Sequence, residues 1–231
     1  MQIFKSQDKL AEVVEMNPKL LPVINRFDIA LGIGNKTIED ICSEKNIEQS
    51  FFLAIINTYH NPDFFQELEQ EKISPLELVN YLRKTHEYYL KHTIPKLDEL
   101  LDRLIESCRD SCGNIQMIKT FYNKYKKELK THIDDEEKRV FPYIETLIER
   151  KQKSTEFTIH NFEEEHTNVE EKINDLKNLI IRHIEPSYEQ NTGNEFLFEL
   201  FRFEKDIRDH ARIEDNLLIP MVENIEKQLA K

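Results

Sequence analysis

The chain has 231 residues, of which 44 are Asp or Glu and 32 are Lys or Arg, for a net charge of −12. That balance argues against a nucleic-acid partner, which needs clustered cations to neutralise phosphates. No stretch approaches the ~20 apolar residues of a bilayer span, and "MQIFKSQDKL" lacks the apolar core of a signal peptide, so a cytoplasmic, membrane-free protein is expected. Four glycines, no tryptophan and an abundance of Leu, Ile, Glu and Lys point to an almost wholly helical chain. Three cysteines fit a reducing compartment better than a disulfide framework.

Residues 1–66 carry short apolar clusters broken by Pro and Gly, such as "NPKLLPVINRF" and "SFFLAIINTYHNPDFF". They predict a small helical N-terminal domain of three or four short helices. Thr37, followed by Glu39 and Asp40, is a helix start with acidic residues in the first turn. "QELEQEK" (66–72) reads as a linker, and His60 as a loop residue. From Ser74-Pro75, an N-cap and first-turn pair, the texture changes to long amphipathic stretches. Helices are predicted over 75–109, 114–151, 155–185 and 194–229, the last beginning after Gly193. Residues 74–231 thus form an antiparallel four-helix bundle, and the fold class is all-α. Pro142 and Pro220 fall inside helices and should kink or break them.

Helical phase sorts the eight histidines. His86 shares a stripe with Val79, Leu82, Leu90, Leu97 and Leu101. His132 falls with Tyr125, Leu129, Glu136 and Val140, and His166 with Ile159, Phe162, Val169 and Ile173. His210 falls with Phe203, Ile207, Glu214 and Leu217. His92, His160 and His183 lie off phase. Each long helix therefore turns one histidine inward. "THIDDEEKRVFP" (131–142) and "DHARIEDNLLIP" (209–220) repeat His-x3-Glu-x5-Pro, so two of those histidines bring a glutamate one turn later.

His-x3-Glu alone is weak evidence in so acidic a chain, since His160 and His166 also have Glu at +4. A glutamate among apolar side chains, however, is costly unless paired or bound to a cation. Four imidazoles and two carboxylates exceed a tetrahedral zinc set, and no thiolate joins them. Shared between two ions, they give two nitrogens each and two carboxylates able to bridge. With an oxo or hydroxo bridge, each ion keeps one open position. Such ligation inside a bundle suits non-haem iron, with manganese or zinc as alternatives. Cys108 and Cys112, at the far end of the first long helix, lie too far from His86 to join that set.

Ferritin-like proteins repeat Glu-x-x-His, which occurs here once, at Glu163–His166. The order of ligands more closely resembles hemerythrin-like bundles. Position 170 is Glu where the oxygen carrier has a further His; Asp215 stands at the carrier's +5 position, while Glu214 follows the pattern of Glu136. Across nearly its full length, through "NKTIEDIC", "HIDDEEKRVFPYI", "EEEHTNVEE" and "DHARIEDNLLIPMV", the chain is similar to the hemerythrin-like repair-of-iron-centres family. The resemblance implies metal ligands at His86, His132, Glu136, His166, His210 and Glu214, and two iron ions as cofactor. It further implies help in repairing iron–sulfur clusters damaged by nitric oxide or oxidative stress, with damaged iron–sulfur proteins as partners and nitric oxide or oxygen as small ligands. Nitric oxide reduction at the centre would be an enzymatic form of that role; oxygen or nitric oxide sensing is the alternative. The family's adjacent cysteines near the N-terminus are missing here, where "ALGIGNKTIEDIC" offers only Cys42.

Overall fold

The computed structural model describes residues 3–67, 73–108, 114–151, 157–160, 169–185 and 187–229, with the side chains of 66–67 and 169–171 left aside. Among them the structure is helical, and the extended contact is one isolated bridge between Lys9 and Thr37. The helices are α1 (Leu10–Met16), α2 (Leu21–Asn25), α3 (Ile38–Lys45), α4 (Gln49–His60), α5 (Pro75–Tyr88), α6 (Ile94–Glu106), α7 (Ile115–Asp135), α8 (Phe141–Arg150), α9 (Val169–His183), α10 (Gln190–Ile213) and α11 (Ile219–Leu229). Contacts group them into two compact units.

One unit comprises Met1–Thr85, Ile144–Ile159 and Arg212–Lys231. Its local structure follows from capping chemistry. Thr37 accepts from the Asp40 amide at 3.1 Å while the Asp40 carboxylate accepts from the Thr37 amide at 2.9 Å, a reciprocal box that starts α3. Asn46, with φ 55°, ends it in the left-handed conformation. Asn57 takes Phe4's amide and returns a bond to its carbonyl, at 2.7 and 3.0 Å, which ties the N-terminal strand of chain to α4. Phe27 packs against Phe51, Phe52 and Tyr81. Arg212 donates to the Pro62 carbonyl at 2.6 Å and lies 5.2 Å from the Phe65 ring centre. His60, expected in a loop, is instead the last residue of α4 and buried, its ring against Phe4. The apolar run that precedes it keeps the helix going to the Asn61-Pro62 break. The segment read as a linker lies mostly outside the described residues. Cys42 is a buried free thiol. Cys112 lies outside the described residues.

The other unit comprises His86–Tyr143 and His160–Ala211, a four-helix bundle seen by itself. Its strand of ion pairs fixes direction. Asp98 meets Lys126 and Asp102 meets Lys119, so α6 and α7 run antiparallel. Glu128 meets Lys172 and Asn114 meets the His183 carbonyl, so α7 and α9 do too. Arg103 meets Glu195 and Ser107 meets Glu189, which sets α10 against α6. The core is a continuous cluster that includes Leu97, Leu101, Ile118, Tyr122, Ile173, Phe196 and Phe203, each helix contributing its apolar stripe.

Two sequence expectations shift here. The fourth long helix begins at Gln190, four residues before its predicted start, and Gly193 sits inside it. Glu189 is the reason: its carboxylate accepts the amides of Asn191 and Thr192 at 3.0 and 2.7 Å, capping the first turn. A side chain at 193 would meet the Tyr188 ring at 2.4 Å, so glycine there answers a close approach and marks no boundary. Second, Pro142 and Pro220 do not break their helices. Each lies just after a π turn, Glu136–Val140 and Glu214–Leu218, and a third π turn, Tyr89–Thr93, precedes Pro95. Proline has no amide hydrogen and its ring collides with the carbonyl four residues back. One residue of extra girth relieves both problems: the amides of Ile94, Phe141 and Ile219 bond to the carbonyls of Tyr89, Glu136 and Glu214, five residues earlier.

Candidate metal centre

The π turns sit where the chemistry is. Glu136 and Glu214 are the first residues of two of them, and both are buried, at 0% and 1% exposure. His86 lies three residues before the third. Within the bundle unit, His86 Nε2 is 3.2 Å from His210 Nε2 and 3.1 Å from Glu136 Oε2. The other oxygen of the same carboxylate, Oε1, is 3.3 Å from His132 Nε2. Glu214 follows His210 by one turn of an unbroken helical run. Within the bundle unit His86, Glu136 and His210 each offer a ligand atom to one small volume.

Of the six residues singled out from sequence, the bundle unit brings His86, Glu136 and His210 together and sets His132 against Glu136, while Glu214 falls in the other unit. His166 lies outside the described residues. His92, His160 and His183 are exposed. Among the described residues the phase analysis failed at Leu90, expected on the buried stripe of His86 but 36% exposed, while Tyr89 is 1% exposed and His132 is only partly buried. The π turn that begins at Tyr89 resets the register there. Tyr89 packs edge-on against His210, ring centres 5.8 Å apart. It was missed, although Ile94-Pro95 in mid-helix was a legible signal, the same apolar-Pro step as Phe141-Pro142 and Ile219-Pro220. Glu137 was missed as well; its Oε1 lies 2.8 Å from His86 Nδ1. Phe141 stacks on the His86 ring, centres 5.5 Å apart and planes 9° from parallel.

These donors suit a first-row transition metal. Bonds of roughly 2.0–2.2 Å from one ion place neighbouring ligand atoms roughly 3.0–3.4 Å apart, the range spanned by the three measured spacings. Two imidazole nitrogens facing each other, with carboxylates alongside, present lone pairs and negative charge to one small volume. Buried and away from water, such a set is favourable when a cation shares it. Mixed nitrogen and oxygen donors without thiolate favour iron or manganese over a structural zinc site.

Comparison with known proteins agrees with this donor set. Among curated proteins, Iron-sulfur cluster repair protein ScdA of Staphylococcus haemolyticus (strain JCSC1435) is 18% identical over 212 residues, covering 90% of this chain and 95% of that protein. Residues 77–222, which contain every candidate ligand, match the family described as Hemerythrin HHE cation binding domain. The match spans well over half of the chain, and the chain belongs to that hemerythrin family.

Proposed function

We propose that this chain is a di-iron protein that helps to repair iron–sulfur clusters damaged by nitric oxide or oxidative stress, acting in the cytoplasm. Residues 74–231 form its hemerythrin-like bundle and 1–66 an appended helical domain. The ligands are His86, His132, Glu136, His166, His210 and Glu214. The observation that carries the reading is Glu136, a fully buried carboxylate whose two oxygens address two different imidazoles, His86 at 3.1 Å and His132 at 3.3 Å. A carboxylate so placed can span a pair of ions, whereas a single ion would need only one of its oxygens. The repair role draws on the likeness to ScdA, which extends along nearly the whole of both chains.

A bound iron pair supplies redox change and affinity for diatomic ligands. The side chains determine how that chemistry is housed. His86, His132 and His210 provide neutral nitrogen donors. Glu136 and Glu214 provide the negative charge that balances the cations without thiolate. The stacked Phe141 and edge-on Tyr89 exclude water from the imidazole faces, which strengthens every electrostatic contact inside. A π turn begins at each glutamate, so the backbone departs from the regular helix where these carboxylates leave it.

The test is anaerobic metal analysis of the purified chain with an optical spectrum before and after nitric oxide. About two iron ions per chain are expected from the donor count, with marked loss in Glu136→Ala and His132→Ala. Retention of both ions in those variants sinks the ligand assignment. Intact iron binding without rescue of a damaged iron–sulfur enzyme sinks the repair role alone.

A further inference from the structure

We propose that Glu137 is a positioning residue for the centre, holding the His86 ring in the orientation that sends Nε2 inward; this rests on the metal reading above. Neighbouring residues on a regular helix point about 100° apart. Yet Glu136 and Glu137, consecutive in one π turn, address the two nitrogens of a single imidazole. Glu136 Oε2 lies 3.1 Å from Nε2 and Glu137 Oε1 lies 2.8 Å from Nδ1. The two carboxylates differ in surroundings: the Glu136 side chain is 1% exposed, that of Glu137 30%. One belongs to the centre, and the other stands at its outer wall.

The ring has two degrees of freedom that matter, its plane and its flip. Phe141, stacked at 9°, sets the plane but is indifferent to a half-turn of the imidazole about its bond to Cβ. Glu137 decides between the two flips. An ionised carboxylate only accepts hydrogen bonds, and a neutral imidazole has one N–H and one bare nitrogen. Nδ1–H donating to Glu137 therefore leaves the Nε2 lone pair for the metal, facing the Nε2 of His210 at 3.2 Å. Carboxylates in this outer position orient metal-binding histidines generally, and their removal costs about 10–100-fold in affinity. Sequence alone hid the role, because helical phase singles out Glu136 in "DDEEK" and says nothing of its neighbour.

The experiment titrates cobalt(II), whose visible bands report coordination, into the full-length metal-free chain and its Glu137→Ala and Glu137→Gln variants. Glu137→Ala should bind cobalt about 10–100-fold more weakly, while its metal-free form melts with the parent. Glu137→Gln should recover most of the affinity, since an amide oxygen still accepts Nδ1–H. In the cobalt form, a hyperfine-shifted, exchangeable ring N–H resonance should be sharp in the parent and the Gln variant and lost to solvent exchange in the Ala variant. Unchanged affinity and an unchanged resonance in Glu137→Ala overturn the proposal while leaving the metal reading intact. A Gln variant as weak as the Ala one overturns it too, in favour of charge alone. A parent that takes up no cobalt overturns the metal reading itself, and this assignment with it.

Discussion

The two ends of the bundle unit are built from the same kind of amphipathic helix and solve opposite problems. At one end Leu97, Leu100, Leu104, Ile118, Tyr122, Ile180 and Phe196 interlock as an apolar cluster on regular α-helices. At the other, His86, Glu136 and His210 are buried polar groups on helices widened by π turns. Apolar packing is indifferent to small changes of register, because any side chain of suitable volume fills the space. A ligand set is not, since its atoms must meet within a few tenths of an ångström. Regular helix is adequate for the first task. For the second, the backbone departs from regularity at or beside the candidate ligands.

If this division holds, the ends can be damaged separately. Phe196→Ala, at the apolar end against Tyr122, should cost about 3–5 kcal/mol of stability in thermal or denaturant melts, with metal stoichiometry unchanged. Loss of metal alongside stability would show the ends to be one cooperative element. Lys177, buried against Glu204 and 4.4 Å from the Phe201 ring centre, tests the border. Lys177→Met should cost about 3 kcal/mol, at the low end because Arg208 still holds Glu204 at 2.9 Å. Adding Glu204→Leu should restore most of that loss in the same melts. Next comes linkage: ferrous iron at a hundredfold excess over its dissociation constant should stabilise the parent by about 2.7 kcal/mol. The same addition should leave the melting temperature of Glu136→Ala unmoved, and an equal shift in both would place the metal elsewhere. Smallest is Tyr122→Phe, which removes a 2.9 Å hydrogen bond to Asp98 and should cost about 1 kcal/mol, because Lys126 remains on that carboxylate at 2.7 Å. Burial and the nearby Asp98 push the Tyr122 hydroxyl far above its usual range. The folded chain thus keeps it protonated where an unfolded one would ionise above about pH 10. Stability from this group is present below that pH and falls as pH rises beyond it, and Tyr122→Phe should flatten that alkaline limb.

What was legible in sequence tracks the same division. The stripe of Tyr125, Leu129, His132, Glu136 and Val140 could be read because a plain α-period holds up to the π turn, and all but His132 are buried to 3% exposure or less. Thr37 and Asp40 announced α3 because capping is local chemistry. Leu90 and Tyr89 exchanged places because one widened turn shifts phase. Gly193 misled because the side chain that starts its helix, Glu189, is not among the usual caps. His60 misled because the helix runs right up to the Asn61-Pro62 break. Glu137 was invisible for a different reason: its partner lies 51 residues away, and no periodicity links them.

A π turn amounts to a single amino acid threaded into an otherwise ordinary coil. Three such insertions, each upstream of a proline, act as a vernier. Removing one residue from the 136–140 stretch should return it to an ordinary coil, because Phe141 would then stand four residues after Glu136, the spacing of a regular helix. The side chains within the turn would change direction while the helix beyond it kept its place.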